Sequence, residues 1–483
     1  MRIYGFFVLF FMVFKLFSQN NVEKSISKFA SEPANKSSVI SFLAIDIQNG
    51  VKIAEFNPSN PITSASTTKL FATATAFELL GRDKKSVTRI YLKGKVDDNG
   101  ILHGDVWIRG GGDISLGSKF FTDQSKELDF LNAWSDSLIK KGIKKIDGAI
   151  IADASEFGYK GVPDGWNEAD IGNYYGAGAG GLNFFDNTIK LYFKTGAAGA
   201  KTQLVDVFPK VPGLNISNYV LSANVGDDNS YVHGLPFSLE RKATGKLPVN
   251  QNKYLVKGSM PDPEFLIAHE FVKALNSKGI EVFHGAKAVR INQLEKPTYD
   301  GDFKLLFQQE SKTVKDISYW TNLKSVNLFA EGLLNWIGYF SNGNGSTESG
   351  LKVMMDFWTN KINTNGLIIK DGSGLSRLDA ISATHFCDLL KYMHSSSNFS
   401  DFRSTLPVAG QTGTIRNLCK GGAGEGRVFA KSGTINNVKA YAGYVDSKSG
   451  KKIAFGFIVN NYNCSTSAIT SKMEYVLNAI AEY

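Results

Sequence analysis

The pattern of apolar and polar positions predicts a β-hairpin close to the start of the chain. Residues 39–48 and 51–56 alternate apolar with polar side chains and are rich in β-branched types. Between them stands Asn49-Gly50, a pair that favours the tight turn of an antiparallel hairpin. The chain then passes two prolines and enters a segment of helical character.

That helical segment covers residues 64–80. Small residues and leucines favour a helix there, and Gly81 is a natural end for it. Residues three apart lie on one face of a helix, so Ser66 and Lys69 are expected to be neighbours. Further helices are predicted at residues 128–140, 261–278, 320–340, 352–363, 383–395 and 467–482.

Strand-like segments separated by loops rich in glycine and aspartate dominate residues 87–295. This change in composition and in the predicted secondary structure indicates an insertion of one or two β-rich domains. Residues 21–86 and 296–483 would then be the first and second parts of another domain. In the second part, strands are expected at residues 428–433, 440–446 and 452–459, followed by a last helix whose apolar face packs against the sheet.

The first residues are typical of an export signal. Arg2 gives the positive start, an apolar run rich in Phe follows, and Ser18 is a small residue before the cleavage point. A membrane anchor is the alternative, but the apolar run is short and Lys15 interrupts it. We therefore predict a signal peptide at residues 1–19, an exported, periplasmic protein, and no membrane span after cleavage.

Composition narrows the range of partners. The net charge of +9 is spread along the chain and does not form a basic surface, which argues against nucleic acid. The six His and three Cys show no metal-ligand spacing, so no metal is expected. An exported chain with three cysteines keeps at least one unpaired thiol, and we expect any disulfide to join Cys419 to Cys464.

Candidate chemistry begins with the Ser-x-x-Lys motif formed by Ser66 and Lys69. A serine hydroxyl becomes a good nucleophile when a base lies within hydrogen-bond reach. A lysine can be that base where burial and nearby cations lower its pKa. The backbone N–H groups of Ser66 and Thr434 would then form an oxyanion hole.

Two further motifs follow in order, Ser-Val-Asn at residues 325–327 and Lys-Ser-Gly-Thr at residues 431–434. Ser325 can relay a proton between lysines and a leaving amine, and Asn327 can hold a substrate amide. Lys431 supplies positive charge. The hydroxyls of Ser432 and Thr434 can bind a terminal carboxylate of the substrate.

The three motifs, in this order, are those of penicillin-binding proteins and class A β-lactamases. The chain resembles the D-alanyl-D-alanine carboxypeptidase/endopeptidase family of low-molecular-mass class C penicillin-binding proteins, peptidase family S13, over essentially its whole mature length. The long interval from Ser66 to Ser325 is similar to that of the family, which inserts extra domains there. Two positions depart from the family: Val326 stands where Asp is frequent, and Ser432 where Thr is frequent.

The resemblance implies a mixed α/β (α+β) fold, in which a serine β-lactamase or penicillin-binding-protein-like domain has an antiparallel sheet between helices and carries the β-rich insertion. It implies a serine-type D-Ala-D-Ala carboxypeptidase/endopeptidase that acts on peptidoglycan stem peptides through an acyl-enzyme on Ser66. β-Lactam antibiotics would be covalent inhibitors, and no cofactor would be needed. Two alternatives stay open: a catalytically inactive wall-binding scaffold, and a β-lactamase or esterase on the same fold.

The resemblance also implies a substrate contact in the loop at residues 164–170. In the family, an acidic residue in the loop after such a tryptophan contacts the side-chain amine of the diamino acid in the stem peptide. Asp170 occupies that position in this chain. The plainer interpretation of Asp170 is a solvated loop carboxylate.

Overall fold

The computed structural model describes residues 21–483, so the predicted signal peptide at residues 1–19 lies outside the described residues. The described chain forms two compact units. The first unit contains the residues up to Arg82, with Ser318–Val326 and Val353–Tyr483. The second unit contains Asp83–Ile317 and Asn327–Lys352.

The first unit is organised around a five-stranded antiparallel sheet. The predicted hairpin near Asn49 is confirmed, because the two strands around it pair antiparallel with a register shift between Ala44 and Ile45. The first of these strands also pairs with the last strand of the chain, which joins the two ends of the sequence in one sheet. In spatial order the strands are Val428–Ile435, Val438–Asp446, Lys452–Asn460, Val39–Asp46 and Lys52–Phe56.

Helices cover both faces of this sheet. On one face, Met473 and Leu477 of the last helix pack with Phe455 and Phe457 in a buried cluster, which confirms the predicted packing of that helix. On the other face lies the helix Ala383–Ser395.

Three contacts fix the helix Ala383–Ser395 to the sheet. The Tyr444 hydroxyl donates to the Leu390 carbonyl at 2.9 Å, and the Cys387 thiol faces the Leu43 carbonyl at 3.6 Å. Gly456 permits the close approach, since a Cβ there would lie 3.0 Å from the Ala383 Cα.

A third helix, Lys69–Leu80, is almost wholly buried. It begins at Lys69, after the 3₁₀ turn Ala65–Thr68, and not at residue 64 as the sequence predicts. It ends before Gly81, as predicted, where φ is +80°. The Trp358 indole donates from Nε1 to the Thr75 hydroxyl at 2.8 Å, and its ring meets Phe71 edge-on at 5.7 Å. Side chains on several sides therefore fix the helix that follows Ser66.

The second unit is rich in β-structure. Its largest sheet has seven strands, and its core includes Trp134 packed edge-on against Phe271 at 5.5 Å. The seven strands are Val87–Val96, Ile101–Arg109, Lys145–Ile146, Ile150–Asp153, Glu281–Val282, Ala286–Ala288 and Phe303–Glu310. The strands of the two smaller sheets are Thr188–Lys194, Gln203–Phe208 and Tyr254–Ser259, and Asn215–Asn218, Leu221–Ala223, Asn229–His233 and Glu240–Pro248.

Two helix predictions need correction. The helix predicted over residues 320–340 is two helices, because Ser325 adopts φ +60° and a left-handed residue cannot continue a right-handed helix. The helix predicted at 352–363 lies earlier, at Thr347–Thr359. Residues 21–31 are helical. The other α-helices of the described residues are Lys69–Leu80, Asp129–Lys140, Glu168–Ile171, Pro263–Ser277, Val314–Lys324, Asn327–Asn342, Thr347–Thr359, Ala383–Ser395, Phe399–Ser404 and Thr466–Glu482.

The cysteines also differ from the expectation. Cys387, Cys419 and Cys464 are all free thiols, so the expected Cys419–Cys464 disulfide is wrong. The Cys419 sulfur packs against Gly424, where an added Cβ would lie 3.0 Å from it. Across residues 21–483, no helix combines the length and the apolar character needed to cross a membrane.

Candidate active site

Ser66 and Lys69 are neighbours, as their spacing predicts. Ser66 lies in the 3₁₀ turn Ala65–Thr68, which leads directly into the helix Lys69–Leu80. Lys69 is fully buried, and its Nζ donates to Ser66 Oγ at 3.0 Å. The turn requires φ +49° at Ala65, a backbone geometry that non-glycine residues rarely adopt.

A second hydrogen bond fixes Lys69, and the sequence motif did not reveal it. Lys69 Nζ donates to the backbone carbonyl of Ser373 at 2.6 Å, across 304 positions of sequence. Gly374 follows with φ +74°, and a Cβ there would lie 2.0 Å from the Ala65 carbonyl oxygen. The loop at residues 371–377 therefore touches both the lysine and the turn that carries Ser66.

Asp371 organises this loop. Its buried carboxylate accepts hydrogen bonds from the backbone N–H groups of Gly374, Leu375 and Ser376, at 2.7, 2.9 and 2.8 Å. One charged acceptor thus satisfies three successive donors and holds the loop in one conformation. The Asp-Gly-Ser-Gly sequence predicts a turn-rich loop here, but it does not predict that the loop contacts Lys69 and the Ser66 turn.

Ser325 and Lys431 form a second serine–lysine pair. Lys431 is fully buried on the strand Val428–Ile435, and its Nζ donates to Ser325 Oγ at 2.9 Å and to the Ser432 carbonyl at 2.7 Å. Burial, followed by the charges of Lys69 and Lys439, holds the pKa of Lys431 well below its usual value. Such a lysine can exchange a proton with a hydroxyl under neutral conditions.

The strand Val428–Ile435 is the outer strand of the five-stranded sheet. Its first residues already bond to residues 407–409, since the Ala409 N–H donates to the Val428 carbonyl at 2.9 Å and the Ala430 N–H to the Pro407 carbonyl at 3.1 Å. Another extended chain could pair with the edge beyond this contact, at residues 432–434. The strand runs close to the nucleophile turn, since a Cβ at Gly433 would lie 3.1 Å from the Ser66 nitrogen. The predicted oxyanion donors, the N–H groups of Ser66 and Thr434, are thus carried by two adjacent pieces of backbone.

The hydroxyl groups of Ser432 and Thr434 each have a hydrogen-bond partner that the sequence analysis did not predict. Thr414 Oγ1 lies 2.7 Å from Ser432 Oγ, and Lys439 Nζ donates to Thr434 Oγ1 at 2.8 Å. Burial lowers the pKa of Lys439 to about 8. The sequence did hold a signal for Lys439, because it is a lysine near the start of the otherwise largely apolar strand Val438–Asp446.

Asn327 and Asp170 belong to the second unit, where the structure connects them through one residue. Asn327 Nδ2 donates to the Tyr175 carbonyl at 2.8 Å, and the Tyr175 hydroxyl donates to Asp170 Oδ1 at 2.9 Å. Burial and the Asp170 charge raise the pKa of Tyr175, so its phenol stays protonated and remains a donor. Asp170 itself is half-buried in the short helix Glu168–Ile171.

A Lys-Thr-Gly sequence, which has Thr where the third motif has Ser432, also occurs at residues 194–196, and there Thr195 has a structural role. Lys194 ends the strand Thr188–Lys194. The Thr195 hydroxyl donates to the Pro248 carbonyl at 2.7 Å and accepts from the Gln251 N–H at 2.8 Å. Among the described residues, His, Cys, Asp and Glu side chains form no group of three or more that could hold a metal ion.

Comparison with known proteins finds the family that the sequence resembles. The family model described as the D-Ala-D-Ala carboxypeptidase 3 (S13) family matches residues 22–480. A D-alanyl-D-alanine carboxypeptidase of Actinomadura sp. is 26% identical over 474 residues, which cover 96% of this chain and 85% of that protein. The D-alanyl-D-alanine carboxypeptidase DacB of Haemophilus influenzae is 25% identical over 450 residues, covering 90% and 87% of the two chains.

The solved structures extend the likeness to the fold. The crystal structure of penicillin-binding protein 4 from Haemophilus influenzae has a TM-score of 0.79 at 24% identity and covers 95% of this chain and 99% of its own. A second structure of that protein, in complex with a β-lactam, has a TM-score of 0.72 at 21% identity and covers 94% and 97%. The predicted penicillin-binding-protein fold is therefore confirmed.

Proposed function

The chain belongs to the D-Ala-D-Ala carboxypeptidase 3 (S13) family and is a serine-type carboxypeptidase of the penicillin-binding class, and on this premise we propose that Ser66 is its nucleophile. The observation that carries the proposal is the 3.0 Å hydrogen bond from the buried Lys69 to Ser66 Oγ. In its neutral form Lys69 takes the Ser66 proton as the hydroxyl attacks the substrate carbonyl. The N–H groups of Ser66 and Thr434 receive the developing negative charge.

The second serine–lysine pair completes the proton transfer. Attack on the D-Ala-D-Ala carbonyl makes an ester on Ser66 and breaks the peptide bond, and the departing D-Ala amine needs a proton. Ser325 delivers that proton and regains one from Lys431 through their 2.9 Å hydrogen bond, and the proton that Lys69 took from Ser66 restores Lys431. A water molecule then hydrolyses the ester and regenerates the Ser66 hydroxyl.

Substrate binding is assigned to Asn327, Lys431, Ser432, Thr434 and Asp170. The stem peptide pairs with residues 432–434 at the edge of the strand Val428–Ile435, and its terminal carboxylate meets Ser432 and Thr434 beside Lys431. Asn327 holds a substrate amide. Asp170 binds the side-chain amine of the diamino acid, and the Tyr175 hydroxyl orients its carboxylate.

The biological setting follows from this chemistry. We assign peptidoglycan stem peptides as substrates and β-lactams as covalent inhibitors; a related protein has been crystallised with a β-lactam. We also propose export to the periplasm with removal of residues 1–19, which N-terminal sequencing of the mature protein would test. The division into residues 21–86, 87–295 and 296–483 stays a prediction.

Labelling with a fluorescent penicillin tests the function. A long-lived adduct supports the proposal, rapid turnover of the drug indicates a β-lactamase, and no adduct indicates the scaffold. Intact-mass spectrometry of Ser66→Ala should find no adduct. Ser25→Ala is the matched control, because Ser25 and Lys28 repeat the Ser-x-x-Lys spacing on the surface. An adduct that persists in Ser66→Ala contradicts the assignment of the nucleophile.

A further inference from the structure

Lys439 occupies an unusual place in the first unit. It lies on the strand Val438–Asp446, whose other side chains are nearly all apolar and buried, and is itself only 9% exposed. Its register partner on the neighbouring strand is Thr434. Burying an ammonium group costs free energy unless a polar partner compensates, so this position calls for an explanation.

The surroundings of the Lys439 ammonium do not include a neutralising carboxylate. Within the described part of the chain its hydrogen bond goes to Thr434 Oγ1, at 2.8 Å, and no salt bridge is made. The Tyr441 ring, on the same strand, lies 5.1 Å away, and Val459 is the register partner on the third strand. The Lys439 charge helps to lower the pKa of Lys431, and its ammonium is thus held beside a hydroxyl without a salt-bridge partner among the described residues.

Lys431 is poorly suited to supply the positive charge that binds the substrate carboxylate. Its Nζ already donates to Ser325 Oγ and to the Ser432 carbonyl. Burial and two neighbouring lysines also favour its neutral form. A substrate carboxylate at Ser432 and Thr434 therefore needs a second source of positive charge.

We propose that Lys439 is a positioning residue for the leaving-group carboxylate, acting through Thr434. Because the ammonium donates to Thr434 Oγ1, the hydroxyl proton of Thr434 is directed away from Lys439 and can be donated to the carboxylate. The positive charge of Lys439 strengthens that donor. The inference rests on the proposed function, since it concerns the carboxylate next to the bond that Ser66 attacks.

Deprotonation of Lys439 reverses this arrangement. A neutral amine carries a lone pair that can accept the Thr434 proton, and the hydroxyl then offers only lone pairs to a carboxylate. Burial lowers the pKa of Lys439 to about 8, so Lys439 loses its proton at a pH where the enzyme can be assayed. Substrates without that carboxylate do not depend on it.

Matched pairs of ligands isolate this effect. One pair is an acyl-D-Ala-D-Ala peptide and its C-terminal amide, compared by kcat/KM; the other is benzylpenicillin and its methyl ester, compared by acylation rate. Lys439→Gln should reduce the preference for the free acid about ten- to a hundredfold, while the rates for amide and ester change little. Lys439→Arg should keep the preference, and Lys452→Gln, at the start of the adjacent strand, is the control for an unrelated lysine.

The pH profile gives a readout that a packing role would not move. The acid-to-amide ratio of kcat/KM should fall above about pH 8 in the wild type and stay constant to higher pH in Lys439→Arg, because a guanidinium keeps its proton. Taking the ratio cancels the pH dependence of the steps that both substrates share. This comparison needs only the arginine variant, so it remains decisive if Lys439→Gln does not fold.

Three results would overturn the inference: an unchanged preference in Lys439→Gln, equal losses on both members of a pair, or a ratio in Lys439→Arg that still falls near pH 8. Each differs from a failure of the proposed function, in which the wild type would form no penicillin adduct at Ser66. A wild type that forms the adduct while Lys439→Gln keeps its preference refutes the role of Lys439 alone.

Discussion

Lys431 Nζ donates to Ser325 Oγ across 2.9 Å, and this pair repeats the relation of Lys69 to Ser66 in the same unit. In each pair a fully buried lysine faces a serine hydroxyl. The two serines differ in their backbone, since Ser325 sits at a left-handed break between two helices. In the function we propose, Ser66 attacks the substrate and Ser325 delivers a proton.

Ser325→Ala should therefore slow acylation by benzylpenicillin and peptide hydrolysis by about a hundredfold or more, because general acid–base groups contribute about 10²–10⁴ in rate. Single-turnover labelling measures the acylation rate. Ser404→Ala, on the helix Phe399–Ser404 of the same unit, is the control. Unchanged acylation in Ser325→Ala would remove Ser325 from the catalytic group.

Asp371→Asn tests the loop that holds Lys69. An amide oxygen is a weaker acceptor than the carboxylate that now receives three backbone N–H groups, and the amide NH₂ opposes those donors. We expect a loss of about 3 kcal/mol in unfolding free energy, since hydrogen bonds to charged groups contribute about 1.5–3 kcal/mol each. Acylation should slow as well, because the Ser373 carbonyl that binds Lys69 belongs to this loop.

Urea unfolding and penicillin acylation measure the two effects of Asp371→Asn separately. Asp356→Asn, an exposed carboxylate on the helix Thr347–Thr359, is the control. If stability falls while the acylation rate of the folded fraction is unchanged, the loop supports the fold without positioning Lys69.

The contrast between these residues shows what the sequence can predict. The pairing of Ser66 with Lys69 follows from a three-residue spacing across one helical turn, and this local spacing was sufficient to predict it. The contact between Lys69 and Ser373 joins residues 304 positions apart, and no local pattern encodes it. The partner of Thr434 likewise depended on the hairpin register, which places Lys439 opposite it.

Ser325 shows a different limit. Apolar residues with helical spacing run on both sides of it, so the pattern predicted one helix over residues 320–340. A single left-handed residue leaves that spacing almost intact while dividing the helix into Val314–Lys324 and Asn327–Asn342. The terminal sheet was easier to predict, because strand alternation and short turns are local signals.

Asp379→Asn should change how stability depends on pH. Burial, followed by the charge of Asp371, raises the pKa of Asp379 well above its ordinary value of 3.8. The folded protein therefore keeps this proton after the unfolded chain has lost it. The stabilisation from this carboxyl group is complete below about pH 4 and is lost as the pH rises through the folded pKa.

An asparagine does not titrate. The unfolding free energy of Asp379→Asn minus that of the wild type should therefore become more positive as the pH rises from 4 to 8. Urea unfolding of both proteins at intervals of pH measures the difference. A difference that stays constant over this range would mean that Asp379 keeps an ordinary pKa in the fold.

Thiol chemistry tests the absence of the disulfide. Titration in denaturant should find three thiols. In the native protein at pH 8, Cys464 should react first, because burial raises the pKa of Cys419 to about 12 and that of Cys387 well above its usual value. If titration finds one thiol and leaves Cys419 and Cys464 unreacted, the disulfide expected from the sequence does form.

Asp170→Asn tests recognition of the substrate amine. A charge-assisted contact contributes about 1.5–3 kcal/mol, which corresponds to about ten- to a hundredfold in kcat/KM. The variant keeps an oxygen that can accept from the Tyr175 hydroxyl, so the 2.9 Å contact with the loop can survive. Hydrolysis of peptides with a free side-chain amine should therefore slow, whereas peptides with that amine acetylated, and acylation by simple penicillins, should change little.

The neighbouring carboxylate provides the matched control for this last prediction. Glu168 lies exposed in the same short helix, so Glu168→Gln removes an equal charge from the same loop without touching the proposed contact. It should leave the preference for the amine-bearing peptide intact. If Asp170→Asn instead lowers kcat/KM equally for the free and the acetylated peptides, Asp170 maintains the loop through Tyr175, and the amine must be recognised by another group.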